Sequence, residues 1–564
     1  MNARINVTES TSQDRRCLAE THEVVNVGSE LADYDMYRQD VALVDAVHRE
    51  GADWADAALS EFGRLTGSAD YLELGVQANR YQPELETHDR FGHRIDLVKF
   101  HPAYHQLMRT AIENGLHSSP WTDPRRGAHV ARAARFYLHS QVEAGHCCPV
   151  TMTFASVPSL RTTPELAADW LPRLTARAYD PRNVPDTQKA GLTIGMAMTE
   201  KQGGSDVRAN TTRADPVGAA RGPGAAYELV GHKYFVSAPM CDAFLVLGYA
   251  AGGLSCFLLP RWRPDGTRNP IHMLRLKRKM GNASNASSET ELRGALAWMV
   301  GEEGRGVRTI IEMVGMTRFD CMIGSTAAQR AAVALALHHC ARRKAFGRVL
   351  NEQPLMRNVL ADLVLEHEGS LALTMRIARA MDSRDDPHED ALVRLVTSVG
   401  KYWICKRTPQ HAYEVMECIG GSGVMEDSPF PRLYREAPVN AIWEGSGNVQ
   451  CLDVLRVMRR TPAVVDVFFA ELARARGANT ALDRWVPLLE AEFADSDDLE
   501  YRARHIVDRM ALAMQAALLV QHGPSPVADA FCASRLEEGG HRQYGTLPRG
   551  VDCAAIIDRA TPRV

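Results

Sequence analysis

The acidic residue in VNAIWEGSGNVQ, Val439 to Gln450, is Glu444, set between a tryptophan and a Gly-Ser-Gly turn. A carboxylate there can cap a helix or lie in solvent beside the loop. Held at a fixed point beside a reactive group, it can instead act as a general base. A second stretch with chemical capacity is MAMTEKQGGSDVRANTTRA, Met196 to Ala214, where a run ending in Met198-Thr199-Glu200 meets Gly203-Gly204-Ser205-Asp206. Strand-end amides, a hydroxyl and a glycine turn can hold a planar heterocycle and a phosphate through the backbone, although the same residues also make an ordinary β-turn. Neither G-x-G-x-x-G nor a P-loop occurs, which disfavours a classical Rossmann unit.

These stretches must be positioned by the elements around them. At 564 residues and 45% hydrophobic, the chain can bury several packed units. Its 65 Lys+Arg and 69 Asp+Glu nearly cancel, so net charge gives no argument for nucleic acid or a membrane surface. The 12 cysteines show neither C-x-x-C pairs nor metal-like spacing, so no disulfide framework and no metal site is implied. The polar N-terminus and the lack of a run of about 18 apolar residues predict a cytoplasmic protein with no membrane partner.

Residues 1–188 read as an N-terminal helical domain with a flexible start, because DYDMYRQDVALVDAVHRE and HVARAARFYLHSQVEAGHCC repeat apolar residues at three and four. Residues 189–302 change to short β-rich runs such as AYELVGHKYFVSA and AFLVLGYAAGGLSCFLLP, predicting a small antiparallel β domain. The helical period returns over 303–455 as a bundle and continues over 456–564 as a helical extension. The predicted class is α+β: helices, a β unit, then helices.

The blocks MTEKQGGSD, GHKYFVSA, RKAFGRVLNEQPLMRNVLAD, CIGGSGV and LYREAPVNAIWEGSGNVQ, in this order over roughly residues 100 to 455, resemble the acyl-CoA dehydrogenase family of flavoproteins. The phrases GMTRFDCMIGS, GGLSCFLLPR and KMGNASNASSE extend the likeness over nearly the whole chain, toward the family's AidB-like branch, associated with the adaptive response to DNA alkylation. The resemblance implies FAD as cofactor, an acyl-CoA or other small-molecule substrate and a homotetramer. It implies that Met198, Thr199, Gly204, Ser205, Phe235 and Ser237 contact the flavin and its pyrophosphate. Arg343, Phe346 and Gln353 match residues that reach the FAD of a neighbouring subunit, and Gly420, Gly421, Ser446 and Asn448 match the loop around its adenosine half.

By the same resemblance Glu444 occupies the place of the catalytic carboxylate, which takes an α-proton from a thioester while hydride leaves the β-carbon for the flavin. Relatives that carry the base on an earlier helix have it where GMTRFD places Thr317. Two departures bear on the site: Glu417 stands where many relatives have Gln near the pyrophosphate, and Trp443 stands where thioester dehydrogenases commonly have Tyr. Two alternatives come with the branch: a DNA-associated flavoprotein that protects against alkylation with little acyl-CoA turnover, and a flavin oxidase. Double-stranded DNA would need local positive charge. From Asp453 onward there are 14 Arg and no Lys against 16 Asp+Glu, so the domain is not basic, and the candidate stripe is Arg456, Arg459, Arg460 and Arg542.

Overall fold

The computed structural model describes residues 21–537 and 543–563, so Arg542 lies outside the described residues. The chain begins with helices α1 (Val41–Arg49), α2 (Asp56–Thr66) and α3 (Ala69–Arg80). Asp40 starts α1 by accepting a hydrogen bond from Leu43 N at 3.2 Å, which satisfies one of the donors a helix start leaves free. A hairpin follows, β1 (Glu84–His88) and β2 (Arg94–Lys99), where the sequence predicts only helices. Its turn is held by Asp89 Oδ1, which accepts from Phe91 N at 2.8 Å and His93 N at 2.9 Å. Helices α4 (Pro102–Glu113), α5 (Ser119–Thr122), α6 (Ala128–Val142), α7 (Cys147–Leu160) and α8 (Pro164–Leu174) complete this part.

Seven strands come next: β3 (Ile194–Ala197), β4 (Arg213–Pro216), β5 (Ala226–Ser237), β6 (Ala243–Ala250), β7 (Gly253–Pro260), β8 (Ile271–Leu276) and β9 (Ser287–Val300). Strand β5 pairs antiparallel with β9 from Ala226↔Trp298 to Ser237↔Ser287 and with β4 on its other edge. Since β4 also touches β6, and β6, β7 and β9 pair in turn, the sheet closes on itself as a small barrel and leaves few free edges. The pairing is not wholly antiparallel: β3 runs parallel to β6 over Ile194↔Ala243 to Ala197↔Val246. Strand β6, AFLVLGYA, is apolar throughout, and its first six residues are all buried.

The long helices α9 (Gly306–Cys340), α10 (Pro354–Asp382) and α11 (Pro387–Ile419) form the bundle, with a short hairpin, β10 (Lys344–Ala345) and β11 (Arg348–Val349), between the first two. Short helices α12 (Phe430–Glu436) and α13 (Val439–Ile442) lead to α14 (Gly447–Arg460). The remainder, α15 (Ala463–Ala473), α16 (Thr480–Ala494), α17 (Leu499–His522), α18 (Ser525–Arg535) and α19 (Cys553–Ala560), packs back on α10 and α11. Proline at the first turn of α10 and α11 suits a position whose backbone N–H has no helical partner. Buried ion pairs fix the helices in place: Arg132 on α6 makes two 2.6 Å bonds to Asp320 on α9, and Arg376 on α10 reaches Glu471 on α15 at 2.6 Å.

No helix among the described residues is long and apolar enough to cross a membrane. No group of three metal-ligating side chains occurs among them either. The described cysteines are free, Cys147 and Cys148 included.

Candidate active site

Glu444 lies in the short turn between α13 and α14, where its backbone is left-handed with φ 58°. A side chain other than glycine pays for that conformation in strain, so the turn needs external support. The support comes from three side chains on the surrounding helices. Lys401 on α11 is buried and donates to the carbonyls of Trp443 at 2.7 Å and Gly445 at 2.5 Å. Arg318 Nε on α9 and Gln450 Nε2 on α14 both donate to the carbonyl of Glu444 at 3.0 Å. Arg318 is itself held by Asp453 at 2.5 Å.

The carboxyl group faces a cavity between the barrel, α6–α7 and the bundle. Thr317 Oγ1 on α9 donates to Glu444 Oε2 at 2.9 Å. Burial raises the Glu444 carboxyl above its ordinary range, and the Thr317 hydrogen bond and the charges of Lys401 and Arg318 offset part of that rise. The balance suits a group that must accept a proton and then release it. Trp443 beside it is fixed by donating Nε1 to Asn440 Oδ1 at 2.8 Å.

Ser237, at the end of β5, lines the same cavity as Glu444, together with Met196, its register partner on β3. Met198 and Thr199 continue from β3, their carbonyls engaged by Asn210 Nδ2 at 2.9 Å and Tyr234 N at 2.8 Å, and Met198 packs against the core. Gly204 and Ser205 lie on the exposed turn after them, and a Cβ built on Gly204 would meet only Thr199, at 3.5 Å. Phe235 is 38% exposed, unusual for a large aromatic on a barrel strand. Of these residues, Ser237 lines the Glu444 cavity, whereas Met198, Thr199, Gly204, Ser205 and Phe235 lie outside its lining.

The remaining residues read from the sequence are not in that cavity within one chain. Gly420 and Gly421 form an open turn after α11, with nothing within 4 Å of a Cβ on either. Ser446 precedes α14, and Asn448 accepts from Arg504 Nε on α17 at 2.8 Å. Arg343 and Phe346 lie on the β10–β11 hairpin, where Phe346 is 98% exposed, and Gln353 ties the hairpin to α10 by donating to Ala345 O at 2.9 Å. Glu417 is exposed on the last turn of α11. Arg456, Arg459 and Arg460 are exposed at the end of α14, although Arg456 also pairs with Asp453.

Sequence reasoning missed Lys401 and Arg318, and it missed a buried polar group on the cavity wall. Glu143 accepts from Gly145 N at 2.7 Å, His146 N at 2.8 Å, His146 Nδ1 at 2.9 Å and Ser284 Oγ at 2.7 Å. Burial opposes its charge, but those donors, His146 foremost, hold the carboxyl down at about 2. The signal was a charge inside an apolar run: Lys401 in SVGKYWIC, and Glu143 and His146 flanking a turn after RFYLHSQV.

Three parts of the chain match known families: residues 26–181 the adaptive response protein AidB N-terminal domain, 195–295 the acyl-CoA dehydrogenase middle domain, and 304–459 the acyl-CoA dehydrogenase C-terminal domain. Over 523 residues, 92% of this chain and 95% of the other, it is 47% identical to the protein named "Putative acyl-CoA dehydrogenase AidB" of Escherichia coli (strain K12). It is 31% identical over 505 residues to acyl-CoA dehydrogenase family member 11 of Caenorhabditis elegans, covering 83% of this chain and 80% of that one. The crystal structure of Caenorhabditis elegans ACDH-11 in complex with C11-CoA superposes with a TM-score of 0.82 at 28% identity, covering 93% of each chain.

Proposed function

The chain belongs to the acyl-CoA dehydrogenase family, in its AidB-like branch, and from that premise we propose that it is an FAD-dependent dehydrogenase of acyl-CoA thioesters with Glu444 as the base. The observation that carries the reading is the position of Glu444: a carboxyl group raised by burial, aimed into a cavity that the flavin-side residue Ser237 also lines. Met198, Thr199, Gly204, Ser205, Phe235 and Ser237 would hold the flavin, with Arg343, Phe346 and Gln353 from a neighbouring copy and Gly420, Gly421, Ser446 and Asn448 toward the adenosine end. The structure fits that assignment in two respects. The turns at Gly204, Gly420 and Gly421 are open where a cofactor backbone would approach closely, and Phe235 and Phe346 expose aromatic surface.

Bound FAD supplies the acceptor for the hydride that leaves the β-carbon of the substrate. The protein's part is to remove the α-proton at the same time. Glu444 takes it on a carboxyl oxygen, Thr317 keeps that carboxylate oriented, and Lys401, Arg318 and Gln450 keep the turn from relaxing. A homotetramer would account for the exposed β10–β11 hairpin, and a cytoplasmic location accords with the free cysteines among the described residues. Anaerobic mixing of the purified holoprotein with a panel of acyl-CoAs tests the reading. Bleaching of the flavin absorbance is the expected result, and a protein that neither carries nor takes up flavin would overturn it.

A DNA-associated role is the second reading, favoured by three exposed arginines on one helix end, Arg456, Arg459 and Arg460. Other arginines nearby are engaged, Arg502 by Glu492 at 2.7 Å and Arg504 by Asn448, so few can reach phosphates. Duplex affinity is therefore expected to be modest and steeply salt-dependent, with a shallower salt slope when the three are replaced by Ser. Salt-independent binding would exclude this surface. Nothing in the cavity favours the oxidase alternative over dehydrogenation.

A further inference from the structure

The cavity continues well past Glu444. On α9 its wall is Thr317, Cys321, Ser325 and Ala328, three turns of helix and about 16 Å at 1.5 Å per residue. The facing row recedes from Glu444 through Asn440 and Glu436 to Arg432, and Asn440 Nδ2 donates to Ser325 Oγ at 3.2 Å, which sets the two rows side by side. An acyl chain entering past Glu444 therefore runs toward Arg432.

That end is not built for hydrocarbon. Arg432 Nη1 is buried and has no hydrogen-bond partner among the described residues. Three carboxyl groups act on it electrostatically, Glu143 and Glu436 before Glu73, and Arg435 opposes them. Glu143 is ionised and fully occupied by its own donors, as described above. Both oxygens of Glu436 accept from Asn282 N at 2.7 Å, and burial, followed by the charge of Glu143, pushes its carboxyl up to about 7. A buried guanidinium N–H left without an acceptor is destabilising, and a methyl terminus would leave it so. A carboxylate terminus would satisfy Arg432 but would add a further acidic group beside Glu143, Glu436 and Glu73. A hydroxyl oxygen both accepts and donates.

We infer that the acyl group this cavity takes carries an uncharged hydroxyl at the end away from the thioester, accepting from Arg432 and donating to Glu436. The inference rests on the reading of the cavity as an acyl pocket. A site built to hydrogen-bond a substrate hydroxyl discriminates strongly against the analogue that lacks it.

The test uses the holoprotein and three CoA thioesters at six, eight and ten carbons: the straight-chain acyl, its ω-hydroxy and its ω-carboxy form. Affinity is read by calorimetry and turnover by anaerobic flavin bleaching. The ω-hydroxy compound is expected to bind at least about tenfold more tightly than the straight chain of the same length. That preference should fall to about twofold or less in Arg432→Met and survive in part in Arg432→Gln, which keeps an N–H donor. Equal or tighter binding of the straight chain by the unaltered protein overturns the inference without need of any variant. So does a preference for the ω-carboxy compound, or a hydroxyl preference unchanged in Arg432→Met. If the straight chain bleaches the flavin and binds at least as tightly as the ω-hydroxy compound, the dehydrogenase reading stands and the hydroxyl inference falls. If the hydroxyl compound binds tightest yet nothing bleaches, the inference stands and the dehydrogenase reading falls.

Discussion

Thr317 Oγ1 and Glu444 Oε2 are 2.9 Å apart, joining two positions 127 residues apart in sequence, one of which holds the carboxylate. The hydroxyl donates to the ionised form and so favours it. Thr317→Val removes that donor with little change of shape, and burial then pushes the Glu444 carboxyl further up. If Glu444 is the proposed base it must be ionised to act, so the acid limb of the flavin-reduction rate should move to higher pH and the rate at neutral pH should fall. Stopped-flow bleaching across a pH series measures this, and an unmoved limb would show that the hydroxyl does not tune the carboxylate.

Glu444→Gln keeps the size of the side chain and removes its ability to take a proton. Substrate-dependent bleaching should fall by about two to four powers of ten, while flavin content and the thermal midpoint stay near those of the unaltered protein. The opposite pattern, lost flavin or stability with near-normal turnover per flavin, would make Glu444 a structural residue.

Lys401→Met removes two ammonium-to-carbonyl hydrogen bonds from the turn that carries Glu444. Buried charge-assisted bonds of this kind make the expected destabilisation about 2–4 kcal/mol in urea titration. Turnover should drop as well, because the carboxyl group is no longer held against Thr317. Full stability in the variant would mean that Arg318 and Gln450 hold the turn without it.

Arg343 is exposed on its hairpin, with one guanidinium nitrogen donating to Asn26 O at 2.8 Å. If it also contacts the cofactor of a neighbouring copy, Arg343→Ala should weaken FAD retention by roughly 1.5–3 kcal/mol, the value of a charge-assisted hydrogen bond. Flavin content after gel filtration at several protein concentrations reports it. Undiminished retention would place the arginine outside the cofactor site.

Helix period and strand alternation made most elements readable, because each is decided by residues within a few positions of one another. The β1–β2 hairpin was missed because its alternation is short and its faces are largely polar, ELETH and RIDLVK, so no apolar stripe marks it. The turn that carries Glu444 stands out in the sequence by its Trp-Glu-Gly-Ser-Gly pattern, but its supports do not. Lys401 reaches Gly445 across 44 positions and Arg318 reaches Glu444 across 126, and Ser284 reaches Glu143 across 141. Such contacts leave no local period. Their trace is a charged residue at a place in a helix where packing alone would favour an apolar one.

The left-handed backbone at Glu444 sets folding and chemistry against each other at one codon. Glycine adopts φ 58° without the cost a glutamate incurs there. A population of this gene propagated under selection for folded, abundant protein alone should therefore accumulate glycine at position 444, whereas selection for flavin reduction should purge it. The direction of drift at that codon would report which demand the organism places on the protein.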